Sequence, residues 1–297
     1  MALAMDTTTR LQRKLWEGHV PVVFSLHASD VTTLHAPRPF YAMVPRVSYL
    51  IAQTRAVLEY FRDAAPPIAG IPGNAVWFEA DGRPLRWHLP FGLLFDLHHA
   101  STTRATSSDG AALPWKVVVH FSKFPADQLL PCENEKTMEM HFMHSLKQRY
   151  PIDHQATFLR TGSTKLIMAM SEAQQTLIWT SLLQNDLPNY LQATQELQIA
   201  SSETLKSTLR LVPLRLYVED EPTLQLPVAP RDSDDKHKTL GDVLSTVLPD
   251  LFAGEPQRLV VTHGIVVPLH VPVLALYQSF AYPDGFLHVA IINKSTP

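Results

Sequence analysis

The sequence predicts an α+β protein in which two strand-rich regions of like order flank a helix-rich middle. Three observations predict it. Valine- and aromatic-rich runs bounded by proline, glycine or aspartate recur towards both ends of the chain. Each such set is interrupted by a run of helical period, and a second short helical run precedes its last strand. Between about Pro125 and Lys206 helical signals dominate.

The first region opens with a predicted short helix, Thr9 to Gly18, with Leu11, Leu15 and Trp16 on one side and Gly18 as its stop. Strands are predicted at His19 to His27 and, past Pro37 and Pro39, at Phe40 to Val44. Val47, Leu50, Ile51, Val57, Leu58 and Phe61 then recur at helical spacing, and Pro66-Pro67 closes that helix. Asp81-Gly82 between Ala75 to Ala80 and Leu85 to Leu89 is a hairpin signal. Phe91 to Leu97 reads as a short apolar turn or helix, Ser101 to Gly110 as a polar loop, and Trp115 to Phe124 as a long strand. Strand, strand, helix, strand, strand, short helix, strand is the β-grasp order.

Three helices are predicted in the middle, at Asn134–Arg149, Glu172–Gln184 and Asn189–Leu197. Pro151 to Thr164 is a loop, and Leu187-Pro188 separates the last two helices. The first order then returns. Strands are expected at Leu209 to Glu219, Thr223 to Val228, Arg258 to Thr262, Ile265 to Pro268 and Phe286 to Ile292. Helices are expected at Thr239 to Leu248, with Thr239 as N-cap, and at Val273 to Ala281. The architecture repeats and the residues do not. The chain therefore divides into an N-terminal helix (1–18), a first β-grasp domain (19–124), a helix-rich domain (125–206) and a second β-grasp domain (207–297).

Composition narrows the function. A net charge of −3 over 297 residues supplies no global basic field for nucleic acid. One cysteine, Cys132, forms no internal disulfide, so a cytosolic home is the default expectation. The first residues lack the apolar run of a secretory signal. The most apolar stretch, Leu259 to Leu276, is broken by Gly264, Pro268 and Pro272, so any membrane contact is expected to be peripheral.

Chemistry-bearing motifs are scarce. The glycines of Ala69-Gly70-Ile71-Pro72-Gly73 lack the Lys-Ser/Thr of a phosphate loop, and there is no Gly-x-Ser-x-Gly or His-Glu-x-x-His. Cys132, His141 and His144 come nearest to a zinc set, but their spacing matches no strong zinc pattern and no fourth ligand stands near. The neighbours of Cys132 supply no cation to activate a thiolate. No cofactor, metal or catalytic nucleophile is expected. His98, His99 and His263 read as structural, and Trp77, Trp87 and Trp115 as core fillers. In Glu139 to Lys147, Phe142, Met143 and Leu146 share a face. On residue pattern alone Lys147 is an ordinary helix-surface lysine.

Several short stretches, in order along nearly the whole chain, resemble one family. They are Leu15-Trp16-Glu17-Gly18-His19-Val20-Pro21, Val44-Pro45-Arg46-Val47-Ser48-Tyr49-Leu50, Trp77-Phe78-Glu79 with Leu85-Arg86-Trp87-His88, and Pro90-Phe91-Gly92-Leu93-Leu94-Phe95-Asp96-Leu97. Leu113-Pro114-Trp115, Val119-His120-Phe121, His141-Phe142-Met143 with Lys147, and Leu183-Gln184-Asn185-Asp186 follow. Thr239-Leu240-Gly241-Asp242, His263-Gly264-Ile265 and Tyr282-Pro283-Asp284 with Phe286-Leu287-His288 complete the set. Together they resemble the autophagy protein five family.

The resemblance implies two ubiquitin-like domains flanking a helix-rich one, in agreement with the element order. It implies that Lys147 is the covalent acceptor, joined by an isopeptide bond to a ubiquitin-like modifier, autophagy protein twelve, by E2-like conjugating enzymes. It implies that the conjugate binds the N-terminal helix of a coiled-coil autophagy protein, autophagy protein sixteen. That assembly acts like an E3 ligase in joining a second ubiquitin-like protein to phosphatidylethanolamine during autophagosome formation. The expected place is the cytoplasm, with peripheral recruitment to the preautophagosomal membrane. The chain then has no enzymatic nucleophile of its own. An unconjugated β-grasp adaptor that binds a partner helix is the alternative. Residues 101–110 and 151–164 look longer and more polar than the family pattern.

Overall fold

The computed structural model describes residues 10–66, 76–102, 113–132, 134–147, 169–195, 211–219, 221–252 and 258–293. In the first region helix α1 (10–16) precedes β1 (His19–Leu26), β2 (Phe40–Pro45), α2 (Leu50–Phe61), β3 (Trp77–Ala80), β4 (Arg83–Pro84), α3 (Phe91–Thr102) and β5 (Trp115–His120). The middle holds α4 (Glu135–Lys147), α5 (Glu172–Leu183) and α6 (Leu187–Ala193). The last region runs β6 (Val212–Val218), β7 (Leu224–Val228), α7 (Leu240–Val247), α8 (Pro249–Phe252), β8 (Arg258–Thr262), β9 (Ile265–Val266), α9 (Val273–Phe280) and β10 (Leu287–Asn293).

The two sheets have the same topology, β2-β1-β5-β3-β4 and β7-β6-β10-β8-β9. In each, the last strand lies beside the first in parallel while the other pairs are antiparallel. That central parallel pair requires a long crossover, which the intervening helices provide. Two ubiquitin-like units thus flank a helical region, as the element order predicts.

Local rules account for the elements. Val20, Val22 and Phe24 alternate inward along β1 and are essentially inaccessible. In α2, Leu50, Val57 and Phe61 form the buried stripe. Thr239 caps α7 by accepting from the Asp242 backbone N–H at 3.1 Å, and Asp242 reaches back to the Thr239 N–H at 2.8 Å. Each sheet carries one hairpin whose two central residues have positive φ, Asp81 (44°) with Gly82 (77°) and His263 (50°) with Gly264 (76°). Two consecutive left-handed residues match the strand twist, and the second position suits glycine.

Helix α3 joins the two units. Phe91, Leu93, Leu94, Phe95 and Leu97 carry apolar surface around most of its circumference, so it needs cover on more than one side. One side packs in the first core with β1 and β2. Another meets the second sheet, where Tyr217, Val261 and Ala290 enter the same hydrophobic cluster. Arg46 closes this joint. Its Nη2 pairs with Asp96 of α3 at 2.5 Å and donates to the Gly92 carbonyl at 3.2 Å, and the guanidinium lies against Gly264 of the second unit.

Several boundaries differ from the sequence expectation. The partner of β3 is only Arg83–Pro84, not Leu85 to Leu89: Leu85 N–H still donates to the Phe78 carbonyl at 2.8 Å, and the chain then turns at Trp87 and His88. Helix α3 runs on to Thr102, so Ser101 and Thr102 are helical, and the rest of the 101–110 stretch lies outside the described residues. Strand β5 ends at His120. Helix α6 starts at Leu187 rather than Asn189. Pro188 occupies its first turn, where no N–H is needed, and Asp186 caps it. Pro151 to Thr164 lies outside the described residues. Trp115 fills the first core, Trp87 lies in a turn and packs against the helical region, and Trp77 is buried against His120 on the other face of the sheet.

The two hairpin glycines provide a comparison. At Gly82 an added Cβ meets nothing within 4 Å, whereas at Gly264 it would stand 2.9 Å from Arg46 Nη2. Gly82→Ala is expected to cost about 1–2 kcal/mol from its left-handed φ alone. Gly264→Ala should cost at least about 1 kcal/mol more, since Arg46 must shift from a buried pair. Urea unfolding of both variants checks the order; equal costs would mean the guanidinium moves aside freely.

Candidate functional site: the acceptor helix and its seat

Helix α4 begins at Asn134, whose side chain accepts from the Thr137 N–H at 3.0 Å. Met138, Phe142, Met143 and Leu146 are buried, at 0%, 1%, 5% and 6% exposure, and they recur at helical spacing. They pack into a cluster with Ile178, Trp179 and Leu182 of α5, Ala193 of α6, Trp16 of α1, and Val47 and Tyr49 of the β2–α2 connection. The rings interlock: Phe142 lies 5.5 Å from Trp179 and 6.1 Å, edge-on, from Tyr49. Met140, His141 and His144 face outward. Lys147 is the last residue of α4. Its side chain lies outside the described residues.

The outer face of α4 meets the first ubiquitin-like unit. His141 packs its ring against Trp87 and His88, both at 5.4 Å. Trp87 Nε1 donates to the Leu130 carbonyl at 2.7 Å and so ties that unit to the segment before α4. Burial, reinforced by His141, Arg86 and Arg215, holds His88 down at a pKa of about 3. His141 is lowered too, by burial and then by Arg215 and His144. These groups sit where all three regions meet.

The second unit holds a buried polar network on the side that meets the bundle. Tyr217 O–H donates to His288 Nδ1 at 2.8 Å, and His288 Nε2–H donates to Asp284 Oδ2 at 2.9 Å. Asp284 also accepts from the Phe286 N–H at 3.1 Å and from Arg215 at 3.4 Å. Arg215 lies 3.8 Å over the Phe286 ring and donates to Gln225. Burial alone would raise the Asp284 carboxyl, but His288 and Arg215 hold it below its ordinary range. Burial lowers the His288 pKa, opposed by Asp284. The Tyr-His-Asp order resembles a proton relay, yet all three residues are at most 5% exposed, so no substrate reaches them. Tyr190 of α6 completes the joint, donating to the Pro283 carbonyl at 3.2 Å and packing 4.7 Å from Trp16.

The zinc set considered from sequence does not assemble. Cys132 packs at the edge of the bundle cluster with its thiol 3.5 Å from the Asn134 carbonyl, and His141 is engaged by Trp87 and His88. Among the described residues, Cys132, His141 and His144 do not converge as ligands. The structural reading of His98, His99 and His263 holds: His98 pairs with Asp81 at 2.9 Å, His99 stacks on Phe95, and His263 donates to the Phe280 carbonyl and stacks on Tyr282 at 3.8 Å. Sequence reasoning missed the Tyr217-His288-Asp284-Arg215 network. The four residues are spread over two strands and a turn, and only the spacing of Asp284 and His288 hints at a pair.

Comparison with known proteins follows this geometry. Models of the ATG5 family match three parts: "Autophagy protein ATG5, UblA domain" over residues 15–121, its "alpha-helical bundle region" over 135–199, and its "UblB domain" over 211–291. Autophagy protein 5 of Phaeosphaeria nodorum is 32% identical across 97% of this chain and 98% of its own length. Autophagy protein 5 of Arabidopsis thaliana is 27% identical across 95% of this chain and 97% of its own. The crystal structure of Kluyveromyces marxianus Atg5 superposes with a TM-score of 0.75 over 95% of this chain and 99% of that one, at 21% identity, which is a likeness of fold.

Two measurements test the seat. Phe142→Ala should cost about 3–5 kcal/mol, read by urea unfolding, because it empties the middle of the bundle cluster. The second concerns pH. Burial holds His263 at about 3, opposed by its bond to Phe280 and reinforced by Arg46 and His288. The unfolded chain binds this proton near pH 6.5 and the folded chain does not. Stability is therefore full above about pH 6.5 and is lost as pH falls towards about 3. His263→Asn, which tolerates the left-handed φ, should flatten that slope in urea midpoints; an unchanged slope would exclude His263 as its source.

Proposed function

The chain belongs to the autophagy protein 5 family, and from that premise we propose that it is a conjugation scaffold with Lys147 as the acceptor of a ubiquitin-like modifier. The observation that carries this reading is the mounting of α4. Four buried side chains fix the helix in a cluster built by three helices and the first ubiquitin-like unit, and Lys147 is its last residue. Met140 and His144 are exposed on the face away from that cluster, and Lys147 follows His144 by three residues in the sequence. An acceptor lysine benefits from such a mount, because a fixed helix orients the attacking amine without a binding pocket of its own.

The reaction needs little from this chain. The Lys147 amine, having lost its proton, attacks the thioester carbonyl of the modifier's C-terminal glycine carried on an E2-like enzyme. A C–N bond forms, the C–S bond breaks, and the enzyme thiolate leaves. The conjugate then binds the N-terminal helix of a coiled-coil autophagy protein and acts E3-like in lipidation of a second ubiquitin-like protein. A groove between the three regions would receive that amphipathic helix, a common mode of recognition. We place the chain in the cytoplasm with peripheral recruitment to the preautophagosomal membrane. Among the described residues no helix is long and apolar enough to cross a membrane.

Co-expression with the modifier and its activating and conjugating enzymes tests the proposal on a denaturing gel. Wild type should give a stable band heavier by the modifier's mass, and Lys147→Arg should abolish it. A heavier band that persists in the variant moves the acceptor to another lysine. No heavier band from wild type, with a control acceptor modified in parallel, favours the unconjugated adaptor.

A further inference from the structure

We propose that His27, Asp30 and His120, with Glu79 beside them, form a binding site for a divalent zinc-class cation at one end of the first ubiquitin-like sheet. One ligand atom from each of the first three lies within 4.8 Å of the others. The topology brings them together. Strands β1 and β5 run parallel, Leu26 facing Val119, so both end on the same side. His120 closes β5, His27 follows β1 with its N–H bonded to the Val119 carbonyl at 2.9 Å, and Asp30 ends the 3₁₀ turn Ala28–Asp30.

The cluster is on the sheet face turned away from the hydrophobic core. Phe78, Val117 and Val119 point into the core. Trp77, Glu79 and His120 alternate to the other face, where Trp77 is paired with His120 in register and stacks on it at 3.7 Å. Polar residues on that face have no packing reason to converge.

Nε2 of His120 is buried and faces Oε2 of Glu79 at 3.1 Å, so the carboxylate is its partner until an ion takes that place. Nδ1 of His27 accepts from the Ser29 N–H at 3.2 Å and lies 2.8 Å from the Ser29 hydroxyl, so a cation at Nε2 would displace the ring's proton there. Asp30 is oriented from behind: Oδ2 accepts from the Phe121 N–H at 2.9 Å and Oδ1 from the Ser122 hydroxyl at 2.5 Å, and each oxygen keeps a second lone pair. These are the supporting bonds that metal ligands ordinarily have. Two imidazoles with one or two carboxylates select zinc or a similar borderline ion over calcium or magnesium, which want six or more oxygens. A bound ion would clamp the 27–30 turn to β3 and β5.

The test uses the full chain stripped of metal with a chelator and titrated with zinc against a chromophoric competitor. Wild type should bind one tight equivalent. His27→Gln alters a half-buried residue outside the sheet and should weaken that equivalent at least about tenfold while circular dichroism stays unchanged. Asp30→Asn should do the same. His120→Gln tests folding as well as binding and is read only beside these two. Cobalt in place of zinc should give the visible bands of a four-coordinate nitrogen–oxygen site in wild type and lose them in His27→Gln. Absence of a tight equivalent in wild type overturns the proposal. So does one that survives both His27→Gln and Asp30→Asn, or one lost instead in a Cys132→Ser, His141→Gln, His144→Gln variant.

Discussion

The structure depends on one helix having two apolar sides to cover. Helix α3 belongs by sequence to the first ubiquitin-like unit, yet Tyr217, Val261 and Ala290 of the second sheet complete its burial. A helix of this kind is unstable with either side wet, at about 25 cal/mol per Å² of apolar surface. The two units are therefore packed as one body. Arg46 sets the distance between them, because its guanidinium fits between Asp96 and a turn that carries no Cβ at Gly264. Removing one partner of such a half-buried pair leaves the other without compensation, so the joint is specific as well as adhesive.

Among the described residues the helical region builds most of its own cluster from α4, α5 and α6, and Trp16 before the first strand with Val47 and Tyr49 after the second complete it. The position of α4, and with it Lys147, is thus tied to the first ubiquitin-like unit. Trp87 and His88 lean on the same helix from outside. On the proposed reading, a chain that presents a lysine and assembles partners needs this rigidity more than it needs a pocket. The buried Tyr217-His288-Asp284-Arg215 set serves the same end: each polar atom placed there has a partner, which makes one packing geometry much better than its neighbours.

Legibility followed the range of the forces. Helices α2 and α7 were readable because a single buried stripe repeats within each, and Thr239 announced itself as an N-cap. The hairpin at Asp81-Gly82 was readable from two adjacent residues. Strand β4 was placed too late because the apolar residues Leu85 and Trp87 mimic a strand; Leu85 keeps one bond to the Phe78 carbonyl, and Trp87 leaves the sheet to reach the bundle. The start of α6 was misplaced because a proline that breaks a helix interior is equally at home in a first turn.

The sequence by itself determined the class, the order of elements in both ubiquitin-like units, the scarcity of catalytic motifs and, through resemblance along its whole length, the family. Those depend on local periodicity, turn chemistry and short motifs, all contained within a few residues of one another. Only the tertiary structure decided that α3 serves two sheets, that Arg46 reaches Gly264, that Asp284 and His288 find Tyr217 and Arg215, and that His27, Asp30 and His120 meet while Cys132, His141 and His144 do not. Those contacts join residues tens to hundreds of positions apart. Their distances follow from strand pairing and core packing, which no local window contains.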